Sequence, residues 1–168
     1  MKQHKSRNIG LELAVIALSI VGLMLLLYFV FIVSFQEGSR SSGVTMGIAA
    51  QIADRIYENP TEEEVAIISR IVRYFAHLGL FFVVGFVTTF VSMVLFRGYY
   101  RIPGVFLAGG VCYILAYYTE YYKQFVEGRH FQMTDAVLNW YGSVAGIGCM
   151  VVSYFMNRLL VKLSSSSL

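Results

Sequence analysis

The sequence predicts an all-α integral membrane protein with four transmembrane helices plus an amphipathic outer-face helix in the first extracytoplasmic loop. Three observations carry that expectation. The 168 residues are 57% hydrophobic but only 14% charged, about half the charged share of an ordinary soluble domain. Four segments, 13–33, 75–96, 102–121 and 138–160, hold the roughly 20 apolar residues that a helix needs to cross a bilayer. Ionisable and amide side chains gather at the ends of these runs and not in their middles. One membrane domain over 1–168 is expected, because no Pro-rich or Gly/Ser-rich linker divides the chain. The net charge of +3 is spread along the sequence, so no patch is dense enough to hold nucleic acid. Cys112 and Cys149 fall inside apolar runs and read as small packing residues.

The first span follows Lys2, Lys5 and Arg7 and so imitates a signal peptide. Its 21 residues (Leu13–Val33) lead to no small-residue cleavage site, and a signal peptide core is only about 7–15 residues long. A retained helix is the expectation. In the outer loop, 34–74, Val44, Ile48, Ile52 and Ile56 recur every four residues. That is the apolar stripe of a helix lying in the interface or against the bundle. Asn59-Pro60 ends it, and Thr61 to Glu64 reads as a capping box. A helix starting there can run without a break into the second span, with Arg70, Arg73 and His77 on one face. The connection from Arg97 to Pro103 is short, so spans two and three form an antiparallel hairpin. The third span is the least apolar and holds Gly109 and Gly110; the fourth runs into a serine tail, 163–168, expected to be disordered.

Orientation follows from the loop charges. With the N-terminus inside, the cytoplasmic segments carry Lys2, Lys5, Arg7, Arg97, Arg101, Arg158 and Lys162 with Glu12 as their one carboxylate. The other side spreads six basic residues among nine carboxylates. Both termini are therefore expected in the cytoplasm. Tyr117, Tyr118, Tyr121, Tyr122, Trp140 and Tyr141 mark the outer boundary, where such rings prefer the headgroup layer.

Every span delivers polar groups to that outer layer. His77 lies just inside the end of span two, Glu120 at the end of span three, and Asn139 at the start of span four with Asp135 one turn above it. Ser34, Ser39 and Ser42 follow span one. Glu120 and Gln124 are spaced i, i+4, and Asp135, Asn139, Gly142 and Gly146 make a continuous stripe. Ionisable groups at the mouth of a membrane bundle are costly and mark a functional site by default. Each also has a plainer reading. Glu120 can pair with Lys123 or Arg129 at the interface, Asp135 can favour the N-terminus of a helix, and Asn139 can join helices by a hydrogen bond. Gly142 and Gly146 form a GxxxG pair that admits a neighbouring helix, with span three at Gly109 and Gly110 as the expected partner.

The pattern E-x-x-x-Q-x-x-x-x-G-R followed by D-x-x-x-N-x-x-G-x-x-x-G resembles the VanZ-like family of small bacterial membrane proteins. Here it falls on Glu120, Gln124, Gly128, Arg129, Asp135, Asn139, Gly142 and Gly146. The serines after span one and the Arg73–His77 segment look like two further family features. Tyr74 and Leu78-Gly79 depart from the family pattern, which usually has a basic residue after the Arg, and an aromatic and an acidic residue after the His. The resemblance implies a bacterial cell-membrane protein, whose family namesake lowers susceptibility to teicoplanin.

Three functions are open at this level. One is a site for an amphiphile, such as a lipid-linked cell-wall precursor, a membrane lipid or a lipid-tailed glycopeptide antibiotic. In it, Glu120, Gln124, Arg129, Asp135, Asn139, Arg73, His77, Ser39 and Ser42 are the binding candidates, with the arginines on a phosphate or carboxylate. The second is catalysis in the same place, with Glu120, Asp135 and His77 as acid and base and a serine as nucleophile. No G-x-S-x-G or H-E-x-x-H motif supports it. The third is transport, disfavoured because no ionisable residue sits at mid-span. No cofactor is expected. No metal is expected either, since His77, Glu120 and Asp135 offer a single histidine and no cysteine.

Overall fold

The computed structural model describes residues 9–35 and 38–166, except for the side chains of 38–42 and 166. Among them are five α-helices and no strand: α1 (Ile9–Ser34), α2 (Gly38–Ile56), α3 (Glu62–Leu95), α4 (Arg101–Tyr121) and α5 (Met133–Ser166). Short 3-10 turns at Gly98–Tyr100 and Tyr122–Phe125 flank α4. The helices α1, α3, α4 and α5 each supply a stretch long and apolar enough to cross a membrane. The protein is an all-α, multi-pass membrane protein.

The third helix is the hub, and all the others pack against it. It begins in a complete capping box. The Thr61 backbone N–H donates to Glu64 Oε2 at 2.8 Å, and the Glu64 N–H donates to Thr61 Oγ1 at 3.3 Å. Two orphan amides are satisfied at once, and the 34 residues that follow span about 50 Å. That exceeds a hydrocarbon core of about 30 Å, so the expected continuous helix through loop and span is present, with its first turns beyond the apolar layer.

The tightest packing joins α3 to α5. The two helices run parallel: Leu78 and Phe82 meet Gly142 and Gly146 in the same order along both chains. A Cβ at Gly142 would run into the Leu78 carbonyl, one at Gly146 into the Phe82 carbonyl, and one at Gly85 into the backbone of Ser143. The glycine pair therefore seats α3, not α4 as the sequence suggested. A Cβ at Gly109 or Gly110 would meet nothing within 4 Å. The reason is reciprocal smallness, since Gly85 offers α5 a matching gap on its partner's surface, and backbones approach closely only where both sides lack a side chain. The core beside this seam is Phe81, Val84, Cys112 and Ala116, with Val30 from α1.

The expected loop helix is present and packs against the bundle, and the C-terminal tail differs from expectation. The second helix packs on α3 through the buried Ala49 and Ala53, while Val44, Ile48, Ile52 and Ile56 are exposed. Small side chains allow the closer contact, while Val44 and Ile48 border a cavity and Ile52 and Ile56 are left to the surroundings. At the other end, α5 continues through the serines to Ser166 where a disordered tail was expected. No Gly or Pro follows Gly148 in the helix, and Ser165 Oγ donates to the Lys162 carbonyl at 2.8 Å.

Gly146→Ala and Gly85→Ala should each destabilise the purified protein by about 1–3 kcal/mol through overpacking. Gly110→Ala should leave stability unchanged or raise it by up to about 1 kcal/mol, as in an open helix position. Thermal unfolding in a mild detergent reads the difference.

Candidate functional site

Three chain segments bring their polar groups to one end of the bundle. On α3, Arg73 and His77 are one turn apart, and on α5, Asp135 and Asn139 are one turn apart. Because the helices run parallel in fixed register, these pairs meet as two rungs. Arg73 Nη2 donates to Asp135 Oδ2 at 3.1 Å, and His77 Nδ1 lies 2.8 Å from Asn139 Oδ1. The last turn of α4 adds Glu120, whose Oε1 accepts from Asn139 Nδ2 at 3.3 Å. Glu120, Asp135 and Asn139 are fully buried, with exposures of 1%, 0% and 0%.

The residue that the sequence reading left out of the site is Lys123. It is buried and donates through Nζ to Glu120 Oε1. Gln124 is exposed on the same turn, and the face expected for Glu120 and Gln124 is not formed. The cause is local: after Tyr121 the chain tightens into a 3-10 turn, where residues three apart lie above one another. The signal for this was the Glu-x-x-Lys spacing. Beyond the turn, Gly128 adopts a positive φ of 70°, which suits glycine and carries the chain back to Arg129. Arg129 Nη1 donates to the Ser34 carbonyl at 3.2 Å and so ties the end of α1 to the site. Burial, and then the charge of Arg73, push the Arg129 guanidinium below its usual value, while Glu120 and Asp135 act the other way.

Arg70 is exposed on α3. The side chains of Ser39 and Ser42 lie outside the described residues. Gly142 and Gly146 belong to the helix seam and not to the cluster.

The network fixes the histidine tautomer. Asn139 spends its amide N–H on Glu120, so its Oδ1 faces His77 Nδ1 and can only accept. Nδ1 therefore carries a proton. The other ring nitrogen, Nε2, lies 3.4 Å from Asp135 Oδ2. In a neutral ring that nitrogen carries a lone pair beside a carboxylate, a contact that a second proton or another cation would make favourable. His77, Glu120 and Asp135 each offer a ligand atom, all within 4.8 Å of one another. Each carboxylate also keeps one buried oxygen, Glu120 Oε2 and Asp135 Oδ1, with no hydrogen-bond partner among the described residues.

A cavity of about 300 Å³ opens beside this cluster. Arg73, His77, Lys123 and Arg129 form its polar side, and Phe29, Val33, Val44, Ile48, Val72 and Leu80 its apolar side. A larger cavity, about 560 Å³, lies at the opposite end around Arg101, Tyr154 and Arg158 and contains no carboxylate or histidine among its lining residues. Size alone does not select between them; the buried titratable groups do.

Comparison with protein-family models, with curated proteins and with solved structures finds no match to this chain.

Glu120→Gln should destabilise the protein by about 3–5 kcal/mol, because Lys123 would keep a buried charge without its partner. Adding Lys123→Met should recover most of the loss. Thermal unfolding of the single and double variants checks both signs. Recovery would also show that the pair is not needed for folding.

Proposed function

We propose that the cavity beside the cluster binds an anionic amphiphile, and that the protein does so at the outer leaflet of a bacterial cell membrane. The observation that carries this reading is the split lining. Arg73, Lys123 and Arg129 stand on one side with His77, and aliphatic and aromatic residues of α1, α2 and α3 on the other. Basic side chains suit a phosphate or carboxylate headgroup, and Arg forks match either group. The cavity lies at the low end of ligand-pocket sizes, which suits a headgroup and the first carbons of a chain whose remainder lies in lipid.

A lipid-linked cell-wall precursor and a lipid-tailed glycopeptide both have this form. The motif resemblance to the VanZ-like family supports glycopeptide tolerance as the cellular outcome, and the charge asymmetry of the loops supports cytoplasmic termini. A second reading, a hydrolase or transferase, draws on the approach of His77 to both Glu120 and Asp135.

The test has two arms. A short-chain polyprenyl phosphate, titrated into the detergent-solubilised protein, should bind more tightly than the matching alcohol. Arg129→Ala should weaken it by about 10–100-fold, as expected for a lost charge-assisted hydrogen bond. Equal binding of phosphate and alcohol would sink the proposal. In a susceptible Gram-positive host, the wild type should raise the inhibitory concentration of teicoplanin more than that of vancomycin. Arg129→Ala and Asp135→Asn should abolish the rise at matched membrane levels.

A further inference from the structure

We propose that His77, Glu120 and Asp135 form a binding site for a divalent cation of the first transition row. The argument starts from the two orphaned oxygens. Lys123 occupies Oε1 of Glu120 and Arg73 occupies Oδ2 of Asp135, which leaves Glu120 Oε2 and Asp135 Oδ1 buried and without a partner among the described residues. A buried carboxylate oxygen without a donor is expensive. Here two of them belong to residues whose ligand atoms lie within 4.8 Å of each other and of a histidine nitrogen. A cation held among the three residues would bring positive charge to both carboxylates.

The histidine is presented for the same purpose. Its Nδ1–H is held by the Asn139 carbonyl oxygen at 2.8 Å, and Asn139 is itself held by Glu120. Metal-binding histidines are oriented in this way, with the second ring N–H given to a carbonyl or carboxylate so that the other nitrogen presents its lone pair. That nitrogen, Nε2, lies 3.4 Å from Asp135 Oδ2, close to the separation of two ligands sharing one metal. One imidazole and two carboxylates suit Zn²⁺ or Mn²⁺, and three protein ligands leave a coordination position for water or a bound group.

The charges set a condition on the site. Lys123 and Arg73 already balance the two carboxylates, so a dication brings an anion with it. The phosphate or carboxylate of an amphiphile in the adjoining cavity meets that need, which makes the metal and the cavity parts of one anion-recognition site. The site can nevertheless be tested with metal alone, so either proposal can fail without the other.

The experiment titrates Zn²⁺ and Mn²⁺ into the full chain, prepared without a histidine tag, stripped with chelator and held in mild detergent. One equivalent should bind, with micromolar or tighter affinity. His77→Gln and Asp135→Asn should each weaken binding by about 100-fold, and Asn139→Ala by about 10-fold. His130→Gln, an exposed histidine in the nearby loop, should leave it unchanged. A second measurement needs no variant. Co²⁺ bound to the wild type should give a single exchangeable, paramagnetically shifted imidazole proton, from Nδ1 of His77. No saturable binding, binding that survives both His77→Gln and Asp135→Asn, or the absence of that proton would overturn the proposal.

Discussion

The close parallel contact between α3 and α5 is the constraint from which the rest of the structure follows. Gly85, Gly142 and Gly146 let the two backbones approach to a distance that no β-carbon would permit. Lipid gives helices little hydrophobic reason to associate, so such contacts depend on packing and on polar groups. The seam supplies the packing, and one to two turns away it sets which polar side chains meet. A sequence offset that stays almost constant along the contact pairs Arg73 with Asp135 and His77 with Asn139. A shift of one residue would rotate both pairs apart.

Burying that cluster is tolerable only because its charges are nearly closed among themselves. Glu120 and Asp135 sit in an interior where an unpaired carboxylate would cost several kcal/mol. Lys123 answers the first and Arg73 the second. The cost is further reduced by position. The cluster lies at an end of the bundle, where Tyr117, Tyr118, Tyr121 and Tyr122 stack and tilt against one another along α4 and its following turn, and charged groups are cheaper there than at mid-span. The opposite end manages its charges in a different way. Arg97 pairs with Glu12 at 3.1 Å, and Arg101 lies over the Tyr154 ring, 5.0 Å from its centroid. Those contacts involve half-exposed side chains and secure the ends of helices without enclosing a carboxylate.

Much of this was legible in the chain because it depends on helical period. Hydrophobic runs gave the four long helices, Thr61 to Glu64 gave the start of α3, and i, i+4 spacing placed Arg73 with His77 and Asp135 with Asn139. What the sequence could not show lies where the period changes or where a surface has to choose a partner. The switch to a 3-10 turn after Tyr121 turned Lys123 inward and left Gln124 outside, and the Glu-x-x-Lys spacing is its one trace in the sequence. The glycine pair on α5 was expected to seat α4. The choice fell to α3 because Gly85, a lone glycine in a long apolar run, faces it. The stripe on α2 was a real periodicity, yet Ala49 and Ala53 make the contact, because distance of approach and not hydrophobicity decides packing between apolar helices.

The site's asymmetry bears on its chemistry. A network built only to join helices needs each donor matched to an acceptor, and the upper rungs meet that standard: Arg73 with Asp135, Lys123 with Glu120, Asn139 with both Glu120 and His77. A purely structural network has no reason to leave one oxygen of each carboxylate buried and unmatched, or to set a histidine lone pair toward a third. Cationic side chains line the adjacent cavity while acceptors crowd behind them. Positive charge facing a negatively charged ligand, backed by lone pairs that need a cation, is an arrangement in which each half makes the other less costly. In the proposed site the acceptors would hold the cation, and the cation and the basic residues together would hold the anion.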